Sequence, residues 1–225
     1  MKSIYQNKNI IGSDETGVGD YLTPLVAAAV FVPMANVYKL ESLGITDSKK
    51  LSDKQISELY EKMKTMIKSS VRKMSQRQYN FLNKKYNANE LKMRLHLECI
   101  TAVESRVEDV DLVIIDAFSN ENSLDKYRKR ISTEEENIGD IKSKVKYVTK
   151  GEMEHVSVAA ASIVARAYLI HLMQEQNKKW NDTFPLGTNK EVVAFAKSFV
   201  KKNGKDALYD VAKLSFKTTK EVLDD

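Results

Sequence analysis

The stretch "IIGSDETGVGDYLTPLVAAAVFVP", residues 10–33, decides the fold, because an otherwise apolar run sets two adjacent carboxylates, Asp14 and Glu15, just before Gly17 and Gly19. Its β-branched and apolar residues predict two strands, "NIIGSD" and "YLTPLVAAAVFV", on either side of a turn at Gly17 to Gly19. Two adjacent ionisable groups inside such a segment are costly unless they serve a site. "GVGDYL" is not a dinucleotide fingerprint, since its sixth position is Leu22 and a strand rather than a helix follows. The two glycines permit either an ordinary hairpin turn or a tight turn whose exposed amides let a phosphate or sugar approach the backbone.

Working outward, "SDKQISELYEKMKTMIKS" carries Ile56, Leu59, Tyr60, Met63, Met66 and Ile67 at helical spacing behind Ser52, a natural N-cap. A short strand at "SVRKMS", a helix at "QRQYNFLNKKY" and a longer helix opened by Asn87 or Asn89 follow. "DVDLVIIDAF" is a buried strand that delivers one carboxylate, Asp116, at its C-terminal end. Residues 119–143 are polar and unassigned. "KVKYVTKG" predicts a strand, and Ala159, Ala160, Ala161 and Ser162 suit a helix packed closely on a sheet. An amphipathic helix then stops at Gly204, and short helices are expected beyond it. With 3 prolines and 8 glycines in 225 residues there is no linker composition, so one α/β domain spanning 1–225 is expected.

Composition narrows the class. Hydrophobic residues at 42% and charged residues at 30% match a globular protein and exclude a disordered or fibrous one. The apolar run "LVAAAVFVP" is far short of a bilayer span, and the N-terminus lacks the regions of a signal peptide, so a cytoplasmic protein is expected. Cys99 is the only cysteine, which rules out an internal disulfide and a cysteine-rich zinc site. A net charge of +5 is compatible with a polyanionic partner without requiring one.

Position singles out four acids from the 31 Asp and Glu residues. Asp14 and Glu15 end one apolar strand, Asp116 ends another, and Glu152 lies between a strand and a helix in "VTKGEMEHVSVAAAS", with Glu154 as its rival. If the strands are neighbours, these carboxylates repel unless cations lie between them. Such hard oxygen donors suit Mg²⁺ or Mn²⁺ rather than zinc, and two such ions can promote phosphodiester hydrolysis. Lys49 and Lys50 in "TDSKKLS" precede a helix, where they either contact a phosphate or sit in a solvated loop. His96, His155 and His171 show no ligand or triad spacing, and His96 is expected on a helix face.

Together, "GSDETGVGDYLTP", "ITDSKKLSD", "LVIIDAF", "TKGEMEHVSVAAASIVARA" and "DALYDVAKLSFKTTKEVL" resemble the type 2 ribonucleases H, and within them ribonuclease HIII. The resemblance implies a ribonuclease H-like fold: a mixed central sheet flanked by helices, with residues 188–225 as a helical C-terminal part. It implies an endonuclease that uses Mg²⁺ or Mn²⁺ to cut the RNA strand of RNA/DNA hybrids, with Asp14, Glu15, Asp116 and Glu152 as catalytic metal ligands. Gly17, Val18 and Gly19 fall on the turn that reads the substrate 2′-hydroxyl, and Ser48, Lys49 and Lys50 on the family's "DSKKL". No membrane and no obligatory protein partner are implied.

Two departures accompany it. Ribonuclease HIII usually carries an N-terminal substrate-binding domain, whereas Met1 to Asn9 alone precede the first strand here. Ribonuclease HII uses a tyrosine before a "GT" pair at junctions of ribo- and deoxyribonucleotides, and "FPLGTNKE" has Leu186 there. Cleavage at single ribonucleotides in DNA, hybrid binding without catalysis, and a DNA nuclease on the same fold are the alternatives.

Overall fold

The computed structural model describes residues 5, 7–45, 51–136 and 138–224. Five strands, β1 (Ile10–Thr16), β2 (Leu25–Phe31), β3 (Lys68–Met74), β4 (Leu112–Asp116) and β5 (Val145–Val148), form one sheet in the order β3-β2-β1-β4-β5. β1 pairs antiparallel with β2 and parallel with β4, so the sheet is mixed. The helices are α1 (Val37–Ser42), α2 (Asp53–Met63), α3 (Gln76–Leu82), α4 (Ala88–Glu104), α5 (Glu121–Glu134), α6 (Val156–Trp180), α7 (Lys190–Asn203), α8 (Leu208–Val211) and α9 (Thr218–Leu223).

Local chemistry sets the helix starts. Ser52, Ser75 and Asn87 each accept from the backbone three residues on, and Gln55, Gln78 and Glu90 reach back to close capping boxes. The unassigned residues 119–143 contain α5, opened by the Asn120 side chain accepting from Ser123 N. The second predicted strand begins later than expected. Residues 21–24 form a turn, and β2 starts at Leu25, because the Gly17–Pro24 connection folds back on itself instead of forming a tight hairpin.

Side-chain alternation divides the core in two. Val26, Ala28 and Val30 of β2 pack with α2 and α6 on one face. Leu25, Ala27, Ala29 and Phe31 pack with α4 on the other, joined by Ile11, Val113 and Ile115. α6 lies hard against β1: a methyl group on Gly12 would stand 2.3 Å from the Val158 backbone nitrogen. Ser157 Oγ also donates to Ile10 O at 2.9 Å. α6 is long and apolar enough to cross a membrane by length and composition, but most of it is buried here as the central core helix.

Candidate active site

Strand alternation and the parallel β1–β4 register place the acids. Ser13 pairs with Ile115, so Asp14 and Asp116 both lie at the C-terminal end of their strands, on the face covered by α6. Glu15, one residue on, turns to the α4 face. Glu152 lies in a single 3₁₀ turn, Gly151–Met153, between β5 and α6. Lys150 before it is left-handed, with φ 57°, and the Gly151 N–H donates to Asp116 Oδ1 at 2.7 Å. Of the two rival acids, Glu152 is buried, at 5% exposure, and Glu154 is more open.

Asp14 is 8% exposed, and its carboxyl is pushed up to about 8, first by burial and then by the negative charges of Glu15 and Asp116. Hydrogen bonds from Ser162 on α6 and from the Glu15 N–H, at 2.8 Å from Oδ1, offset only part of this. Glu15 goes the other way. Burial would raise it, yet the His96 hydrogen bond and charge, together with the Lys92 ammonium, bring it below the usual carboxylate range.

His96 lies on α4, fully buried, with Nε2 2.9 Å from Glu15 Oε2 and Nδ1 2.7 Å from Ser13 Oγ. The Ser13 hydroxyl donates to Ala28 O at 2.8 Å, which leaves it to accept from Nδ1. The ring thus bridges Ser13 and Glu15 through its two nitrogens. Lys92, one helical turn earlier, lies 3.7 Å from Glu15 and 4.1 Å from the Phe118 ring centre.

Among the described residues, no three His, Cys, Asp or Glu side chains converge closely enough to enclose a metal ion. The physical reason is visible in their partners: Glu15 is drawn to His96 and Lys92, and Asp116 to the Gly151 amide. The donor set nonetheless fits a hard divalent cation. Its atoms are carboxylate oxygens, and the buried Asp14 beside two further acids is the charge arrangement that such an ion relieves.

The glycine turn stands beside the acids. Gly17 has φ 76°, and a methyl group there would meet Pro24 O at 2.2 Å, whereas nothing lies within 4 Å of one at Gly19. Val18 is exposed between them. Ser48, Lys49 and Lys50 fall outside the described residues. Lys92 is absent from the sequence reading, which put His96 on a helix face and Ser162 on a closely packed helix but gave neither a role at the site. The usable signal was Lys92 and His96 at i, i+4 within an otherwise apolar helix face, two basic groups in need of an acidic partner.

A sheet of this order, with acids at the shared end of two parallel strands, defines a ribonuclease H-like nuclease. The chain belongs to the ribonuclease HII family, whose model, described as Ribonuclease HII, matches residues 11–219. It is 34% identical to ribonuclease HIII of Enterococcus faecalis over 96% of this chain and 70% of that protein. It is also 34% identical to ribonuclease HIII of Staphylococcus aureus (strain Newman), over 95% of this chain and 67% of that one. The crystal structure of Bst-RNase HIII in complex with Mn²⁺ superposes with a TM-score of 0.88 at 30% identity, covering 96% of this chain and 70% of that one. The protein is a divalent-metal-dependent enzyme of the ribonuclease H type.

Proposed function

We propose that this chain is an endoribonuclease that hydrolyses the RNA strand of RNA/DNA hybrids, with Asp14, Glu15, Asp116 and Glu152 as the ligands of two Mg²⁺ or Mn²⁺ ions. The observation that carries the site assignment is the buried Asp14 carboxyl, raised to about 8 beside Glu15 and Asp116. Bound Mg²⁺ or Mn²⁺ supplies Lewis acidity and charge neutralisation at the scissile phosphodiester.

The chain's own residues do the positioning. Asp14 and Asp116 present oxygens from the α6 face, and Glu152 joins them from its turn. Glu15 is oriented from the α4 face by His96. The backbone of Gly17, Val18 and Gly19 contacts the ribose 2′-hydroxyl, which is what separates RNA from DNA at a single site. Water adds its oxygen to the phosphorus as the P–O3′ bond breaks and O3′ takes up a proton, leaving 5′-phosphate and 3′-hydroxyl ends. Residues 1–225 act as one catalytic domain in the cytoplasm, with nucleic acid as the partner and no obligatory protein.

The test is cleavage by purified protein of three labelled duplexes in Mg²⁺ and then in Mn²⁺: an RNA/DNA hybrid, DNA with one ribonucleotide, and all-DNA. Cutting of the RNA strand of the hybrid, abolished by Asp14→Asn, is the expected result. Cutting at the lone ribonucleotide would indicate repair-type specificity. Equal cutting of all-DNA, or none of any duplex, would overturn the reading.

A further inference from the structure

Lys213 lies 196 residues from Gly17 in sequence, yet its ammonium is buried against the glycine turn. Nζ donates to Gly17 O, to Thr23 O at 3.0 Å and to Thr23 Oγ1 at 3.4 Å, while the Lys213 backbone N–H donates to Tyr21 O at 2.9 Å. One residue thus bonds both limbs of the Gly17–Thr23 loop. Lys213 is itself held from a third element: Asn80 of α3 donates to Ala212 O and accepts from Leu214 N, each at 2.8 Å.

A cation that is 1% exposed and bonded to neutral oxygens is an expensive way to fill a core position, where an apolar side chain of similar length would pack at lower cost. Its effect is directional. Gly17 O is turned inward onto Nζ and onto the Thr23 hydroxyl at 3.2 Å. In a trans peptide the following N–H, that of Val18, points the opposite way, to the solvent side of the turn.

We propose that Lys213 is a positioning residue for sugar recognition, locking the Gly17–Val18 peptide so that the Val18 amide faces the ribose of the substrate. This rests on the ribonuclease reading above. Lys213 does not touch substrate and acts only through the turn.

The test compares binding of a labelled RNA/DNA hybrid and a DNA duplex of the same sequence by fluorescence anisotropy in Mg²⁺, using Asp14→Asn protein so that no strand is cut. Adding Lys213→Met should weaken hybrid binding about tenfold, the scale of one lost polar contact. Binding of the DNA duplex, which rests on phosphate contacts, should change less than about twofold. Lys213→Gln, whose amide can still donate, should give an intermediate preference, and urea melts establish that each variant is folded. Should Lys213→Met not fold, the Lys213→Gln preference is read alone, reduced in support and unchanged against. A fall shared equally by both duplexes, or no change in either, would overturn the proposal while leaving the ribonuclease reading intact. A parent protein with no preference for the hybrid would overturn both.

Discussion

His96 Nε2 stands 2.9 Å from Glu15 Oε2 across 81 residues of sequence, and the same ring is anchored through Nδ1 to Ser13 Oγ. The imidazole therefore fixes which way one carboxylate of the candidate site faces. His96→Ala leaves Glu15 with Lys92 at 3.7 Å as its cationic neighbour. Catalytic efficiency should fall about 10–100-fold, the usual cost of losing the group that orients a metal ligand. Titrating the rate against Mn²⁺ checks this: the variant should need more metal, and an unchanged metal dependence would separate His96 from the site.

Asp14 ties stability to pH. Its folded pKa, about 8, lies above the ordinary 3.8, so its contribution favours folding fully below about pH 4 and is lost as pH rises through about 8. In EDTA the wild-type protein should lose stability on this account across that window. Asp14→Asn should remove the loss and unfold at higher urea at pH 8, by on the order of 2–5 kcal/mol, with little difference at pH 4. Adding Mg²⁺ should stabilise the wild type far more than the variant. Equal urea midpoints at pH 8 would mean that Asp14 does not carry the burial cost.

Glu152 and Glu154 differ in burial rather than chemistry. Glu152→Gln should reduce cleavage at least about 100-fold, while Glu154→Gln stays within about threefold, since Glu152 is buried and directly follows Gly151, whose N–H donates to Asp116, whereas Glu154 is more open. Single-turnover rates of the two variants on a hybrid decide between them, and a reversed order would move the fourth ligand to Glu154.

Gly17 and Gly19 separate folding from recognition. Gly17→Ala combines a positive φ with a 2.2 Å approach to Pro24 O, so it should lower the melting temperature as well as activity. Gly19→Ala has open space around it and should fold like the wild type. If Gly19 lies where substrate approaches, its variant loses hybrid cleavage with an unchanged melting temperature. Full activity would place substrate contact elsewhere on the turn.

Much of this was legible before any coordinates. Capping residues Ser52 and Asn87 act through neighbours three residues away, so those helix starts are local properties of the chain. Asp116 could be placed at a strand end for the same reason: a run of buried apolar residues stops at a carboxylate. α5 escaped notice because its few buried positions, Leu124 and Ile131, leave the segment too polar to show a clear period.

By itself, then, the sequence determined the five strands and most of the helices, the strand ends that carry Asp14, Glu15 and Asp116, and the connection that carries Glu152, but not α1 or α5. Only the tertiary structure decided which groups govern those acids and the glycine turn. His96 reaches Glu15 because α4 crosses the face of β1 opposite α6, and Lys213 reaches Gly17 because the segment after α8 returns beneath the turn. Neither contact has a sequence period, since each depends on how helices cross a sheet whose register is set by pairing between distant strands.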